Sequence, residues 1–237
     1  MKNRKWPMRA LLALALVIVG VSGWKLYSDY LEQQQSEAQT ELKPPPMDDG
    51  SPALDFADLL AQYPDITAWL TIDNTAIDYP VVQAGDNKFY LDHTADRKSN
   101  KMGALFMDCR DNRDFSGFNT VIYGHSMRNR NDNMFGGLSK FKDRDYFNAH
   151  RTGTLYTPDA AWPLEIFAVA VAGAVSDYYG YVFESPERCQ AHLDMIRDGA
   201  MFYRDIGVTR GDRILTLSTC SYEYEDARTL VIARIAE

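Results

Sequence analysis

Two strand-like stretches near the end of the chain, "RILTLSTC" (213–220) and "TLVIARIA" (229–236), flank the groups best suited to acyl chemistry. Alternate side chains of extended backbone share a face, so Ile214, Thr216, Ser218 and Cys220 line up together while Leu215 and Leu217 point the other way. A thiol in line with hydroxyls at a strand end is a candidate nucleophile, although most cysteines are small packed hydrophobes. If "SYEYEDA" (221–227) turns a hairpin, Cys220 and Arg228 stand close together at one end of it. Arg234 shares the parity of Arg228 but lies six residues further on. That is roughly 20 Å away at 3.3 Å per residue, out of reach of the thiol. The ordinary alternative for Arg228 is an ion pair with Glu223, Glu225 or Asp226.

A thiol is made a good nucleophile by a base, and the chain has four histidines. His93, His150 and His192 follow or sit in helical, charged segments and read as solvated surface. His125 ends the β-prone run "NTVIYGH" (119–125), where a rigid sheet would display it; a structural histidine is the competing reading. Together the three groups suit amide cleavage through a thioester. The thiolate attacks the carbonyl, a guanidinium stabilises the tetrahedral oxyanion, imidazolium protonates the leaving amine, and imidazole then deprotonates the incoming one. For an uncoupled thiol and imidazole at reference values near 8.5 and 6.5, the thiolate–imidazolium pair is roughly 1 per cent of the population at pH 7, so slow turnover is expected. Cys109 and Cys189 read as packing residues. No CxxC, no Cys/His cluster with zinc spacing and no EF-hand-like acidic run occurs, so neither metal nor cofactor is expected.

What must position these groups is a chain of 237 residues and net charge −8 without a basic stripe in its bulk, which argues against nucleic acid as a partner. Residues 1–9 are basic (Lys2, Arg4, Lys5, Arg9) and Ala10–Trp24 are apolar. As a helix that apolar run spans about 22 Å, short of a roughly 30 Å hydrocarbon core, with Trp6, Trp24 and Tyr27 suited to the interface. A signal-anchor over 10–27 is the favoured reading. Val21-Ser22-Gly23 also fits a signal-peptide cleavage site, and the positive-inside rule sends the chain beyond Lys25 outward either way. Residues 28–53 are polar and end in "KPPPMDDGSP", read as an extracellular tether whose first half can extend the helix. The folded domain is expected over 54–237.

Within it, "ALDFADLLAQYP" and "SPERCQAHLDMIRDGAMFY" have helical periodicity, the latter behind a Ser185 cap. "AWLTI", "IDYPVVQ", "GALFMD", "NTVIYGH", "GTLYTP", "PLEIFAVAVAGAV" and the two terminal runs are strand-like, with helical turns in "NKFYLDH" and "DNMFGGLSKFKDRDYFNAH". Many short strands with few long helices predict a mostly β domain, an antiparallel barrel or sandwich.

"TLSTC" (216–220), the arginine at 228 and the upstream "YGH" (123–125) resemble the signature of sortases. "NKFYL", "GALFMD" and the helical insert after the histidine resemble class B sortases in particular. The resemblance spans about 54–237, and the anchor and tether suit it. It implies a closed eight-stranded β-barrel with N-terminal and inserted helices. It also implies a single-pass protein of a Gram-positive cell membrane with its catalytic domain outside. Such an enzyme cuts a C-terminal sorting motif after threonine and joins the substrate surface protein to a cell-wall peptide amine, or, in the pilus-polymerising variant, to a pilin lysine. A non-enzymatic tethered binding module is the remaining alternative. Carried over residue by residue, Cys220 is the nucleophile, His125 the general acid/base and Arg228 the oxyanion group. Asn87, Leu91, Tyr123 and Ser218 match substrate-groove positions. The position after the thiol, often acidic in such enzymes, is Ser221 here, and no role is carried over to it.

Overall fold

The computed structural model describes residues 5–47, 53–126, 132–180 and 182–236. Residues 1–4 of the basic segment and 48–52 of the proline-rich stretch lie outside the described residues. Helix α1 (Lys5–Glu37) is 33 residues long, about 50 Å, and so outruns a bilayer core of about 30 Å. It is long and apolar enough to cross a membrane, and the rest of the chain leaves its apolar window uncovered. A 3-10 turn (Ala38–Leu42) and a bridge between Pro46 and Leu54 bring the chain onto the body of the protein.

After the short helix α2 (Ala57–Gln62) come strands β1 (Ile66–Ile72), β2 (Asp78–Val82), β3 (Leu105–Met107), β4 (Asn119–Tyr123), and, beyond helix α3 (Arg144–Ala149), β5 (Thr152–Tyr156) and β6 (Ala161–Gly173). Helix α4 (Pro186–Gly199), capped by the Ser185 hydroxyl, leads to β7 (Phe202–Tyr203), β8 (Arg213–Cys220) and β9 (Ala227–Ile235). The order β5-β1-β2-β3-β4-β8-β9-β6 closes on itself because β5 also pairs with β6, giving the expected eight-stranded barrel; β7 is a short addition to β6. It is not purely antiparallel, as the strand pattern suggested. β2–β3 and β4–β8 are parallel, which antiparallel hairpins cannot supply and long crossover connections can.

Alternation along the strands sorts the apolar residues into two layers. Leu215, Leu217, Val231, Ala233 and their counterparts fill the barrel, whose lumen is closed by Phe135, Leu138, Phe141 and Phe147 from the insert after β4. Ile214, Leu230 and Ile232 face outward, under Tyr178, Tyr179, Leu193 and Ile196 of the β6–α4 region. A bulge between Ile166 and Ala168 resets the alternation, so Ile166 and Val169 both face the lumen although three residues apart. The outward face of β8 is therefore buried as well, and its hydroxyls are held: Thr216 Oγ1 donates to Asn119 Oδ1 at 2.8 Å and Ser218 Oγ shares a hydrogen bond with Tyr179 Oη at 2.8 Å.

Candidate active site

Strand pairing brings the three candidate groups together. Cys220 and Arg228 are direct antiparallel partners, confirming the hairpin across 221–227. On the other side of β8, parallel β4 pairs Tyr123 with Ser218, and the Gly124 amide extends the ladder to the Ser218 carbonyl at 3.1 Å. His125 and Cys220, each two residues beyond that pair, leave the sheet at the same level. Imidazole, thiol and guanidinium thus issue from three adjacent strands, spaced by roughly 4.8 Å per strand.

All three line one cavity of about 290 Å³, and so do Asn87, Leu91, Tyr123 and Ser218. Every site residue expected from the sequence is therefore in one place. The β2–β3 connection forms one wall, and Ala174 and Tyr179 from the β6–α4 connection form another. His125 is half-buried; its Nε2 donates to the Leu91 carbonyl at 2.7 Å, and its own carbonyl accepts from the Phe135 amide at 3.1 Å. Among the described residues Arg228 makes no ion pair. Its guanidinium donates to the Ala227 carbonyl at 2.9 Å, and of the acids in the loop beside it Glu223 is engaged elsewhere. Glu223 pairs with Lys142 and accepts from the Ser221 hydroxyl; burial pushes its carboxyl up, but those two hydrogen bonds outweigh it and hold it at about 2.

Two participants were not anticipated from the sequence. Asp108, fully buried, collects Asn87 Nδ2 (2.9 Å), Tyr123 Oη (2.9 Å) and the Arg110 guanidinium (2.7 and 2.8 Å). Burial raises its carboxyl, but the bonds from Arg110 and Tyr123 prevail and keep it below the usual carboxylate range. Tyr179 shares a 2.8 Å hydrogen bond with the Ser218 hydroxyl, which ties two residues of the cavity wall to each other. Asp108 had a visible signal, a charge directly after the buried run "LFM"; Tyr179 had none.

The other histidines depart from the solvated reading. His192 is buried, against Phe118 and Phe183, with Nε2 unpartnered, and burial pushes it down to about 4. His150 and His93 are half-buried and stack on Tyr146 and Phe89. Cys189 is packed as expected, Cys109 is partly exposed, and all three cysteines are free.

A closed barrel with a cysteine displayed between a histidine and an arginine at adjacent strand ends is the architecture of a thiol-dependent acyl-transfer enzyme. The Sortase domain profile matches residues 70–236. The sortase B of Listeria monocytogenes is 32% identical over 94% of this chain and 95% of its own length. The structure of sortase B from Bacillus anthracis superposes with a TM-score of 0.76 at 29% identity, covering 90% of this chain and 99% of that one. Sortase B from the type II pilus of Streptococcus pneumoniae gives 0.67 at 37%, covering 77% and 98%. The chain belongs to the sortase family of cysteine transpeptidases, class B.

Proposed function

We propose that this protein is a membrane-anchored transpeptidase that cleaves a C-terminal sorting motif after threonine and joins the substrate protein to a cell-wall peptide amine. The convergence of Cys220, His125 and Arg228 on one cavity is the observation that carries this reading. Cys220 attacks the scissile carbonyl and becomes acylated as the C–N bond breaks. Arg228, directly across the ladder, stabilises the oxyanion. Because Nε2 of His125 is committed as a donor to Leu91, Nδ1 is the atom that gives a proton to the leaving amine and later takes one from the acceptor amine. Leu91, 41% exposed, offers the substrate an apolar surface, while Asn87 and Tyr123 are oriented by Asp108.

The anchor is α1, with the basic N-terminus inside the cell and the barrel outside. Similarity to a sortase from a pilus supports a second reading in which the acceptor is a pilin lysine. The test incubates the full chain with a library of sorting peptides and either a wall-type peptide amine or a pilin, reading products by mass. The expected result is an acyl-enzyme on Cys220, transfer to the wall amine and no reaction with Cys220→Ala. Transfer only to pilin selects the second reading, and cleavage that survives Cys220→Ala overturns both.

A further inference from the structure

Two buried amides interlock the segment after the apolar part of α1 with residues 95–103 of the β2–β3 connection. Gln39 donates from Nε2 to the Gly103 carbonyl (3.1 Å) and accepts at Oε1 from the Ala95 amide (2.9 Å). From the other side, Asn100 donates through Nδ2 to the Glu32 carbonyl (3.0 Å) and to Gln35 Oε1 (3.2 Å), while its Oδ1 takes the Met102 amide (2.8 Å). Each amide is 3% exposed, so each bond replaces one that water would otherwise make and is costly to leave open. Lys101 adds an ion pair to Glu32 at the rim, 2.7 Å. The stem is thus locked onto the β2–β3 connection rather than merely leading to the barrel.

The gripped backbone packs against Tyr90 and Leu91, and Leu91 lines the catalytic cavity. Gly103 has a φ of +61°, and a Cβ built there would run into the Tyr90 carbonyl oxygen and lie 2.9 Å from that of Leu91. The next amide, Ala104, donates to the Tyr90 carbonyl at 3.1 Å. The Leu91 carbonyl is the acceptor that orients His125. From Gln39 to the imidazole there are therefore three steps: a hydrogen bond to Gly103, a packed backbone contact to Leu91, and a hydrogen bond to Nε2.

We propose that Gln39 is a positioning residue for the transfer reaction: by holding Gly103 and Ala95, the docked stem sets the Leu91 carbonyl and through it the ring of His125. Oriented acceptors of this kind fix which nitrogen of an imidazole carries the proton and where the other one points. The inference rests on the reading of His125 as general acid/base. It adds that the membrane-proximal segment, and not the barrel alone, completes the site.

The test uses the full chain in detergent micelles with ¹⁵N-labelled histidine. Gln39→Met keeps side-chain length and removes both hydrogen bonds. It is expected to shift the His125 ring-nitrogen resonances while those of His150 and His192 stay in place. It is also expected to lower kcat for peptide transfer at least fivefold, with KM changed less than twofold. Lys101→Glu, an exposed reversal facing Glu32, is expected to move both readouts the same way by less, and it carries the test alone if Gln39→Met folds poorly. The proposal stands only if resonance and kcat move together. A fallen kcat with an unmoved His125 resonance, or a moved resonance with full kcat, overturns it. Full transfer activity in His125→Ala would instead remove the reading of His125, while the resonance shift still reports the stem contact.

Discussion

Tyr123 and Ser218 are register partners on parallel neighbouring strands, and that single pairing decides where His125 stands relative to Cys220. The antiparallel pairing of Cys220 with Arg228 does the same on the other side. Imidazole and guanidinium are thereby attached to backbones roughly 10 Å apart with the thiol between them. This geometry divides the labour along one line across the sheet: proton transfer on the β4 side, charge stabilisation on the β9 side.

Arg228 is consequently expected to act on the transition state rather than on substrate affinity. Arg228→Ala should lower kcat for acyl-enzyme formation by about 10²–10³, the range for losing one oxyanion donor. Arg228→Lys should recover only part, because an ammonium does not reproduce the planar fork of donors. Single-turnover formation of the Cys220 acyl-enzyme, followed by mass, measures this. A loss confined to KM would contradict the oxyanion role.

Gly124 sits between the β4 ladder and His125 with no room for a side chain. A Cβ there would come within 2.5 Å of Leu105 Cδ2 and 2.7 Å of Phe135 Cδ2. Overpacking of that kind typically costs about 1–3 kcal/mol. Gly124→Ala should therefore lower the urea midpoint and, by displacing the backbone of His125, reduce kcat as well. Gly117→Ala is the control, since its Cβ would meet only the Asn119 carbonyl at 3.9 Å and should change neither quantity.

Asp108 tests whether the far wall is preorganised. Asp108→Asn turns an acceptor shared by Asn87, Tyr123 and Arg110 into a group that also carries two donors, so at least one existing donor loses its partner. The expected cost is about 1–3 kcal/mol in stability. A rise in KM for the sorting peptide should accompany it as Asn87 and Tyr123 lose their common anchor. Unchanged KM despite the lost stability would make Asp108 a purely structural carboxylate.

Local patterns carried the eight barrel strands, the Ser185 cap and the final hairpin, because each is written in neighbouring residues: alternation along 213–220, a serine before Pro186, a polar turn at 221–227; the two-residue β7 lies instead in a stretch with helical periodicity. What placed His125 is not local. Thr120 pairs with Leu215 across most of the second half of the chain, and parallel partners share no turn that could announce them. The burial of His192 is written locally: Cys189, His192, Leu193 and Ile196 stand at i, i+3, i+4 and i+7 on α4 and are its buried stripe, while the charges that suggest a solvated segment belong to the rest of the helix. Tyr179 could not be found this way, since its partner Ser218 is brought to it only by closure of the barrel.

His192 also gives the fold an acid sensitivity of known sign. Burial against Phe118 and Phe183 pushes its imidazole down to about 4, from an ordinary value of 6.5. The unfolded chain then binds more protons than the folded one between those values, so stability rises with pH across the window. The contribution is fully present above pH 6.5 and is lost as pH falls through 4, a difference on the order of 3 kcal/mol. Asp111 works in the opposite sense: burial raises its carboxyl to about 6, so its contribution is present below 3.8 and lost as pH rises through 6. Because the two windows overlap, the wild-type profile alone does not separate them. His192→Leu does, by removing the titrating ring and its unpartnered Nε2 while keeping an apolar side chain of similar size. Urea unfolding at half-unit steps from pH 4 to 7 should show the variant losing less stability on acidification than the wild type. Parallel profiles for the two proteins would mean that the imidazole is not desolvated in solution.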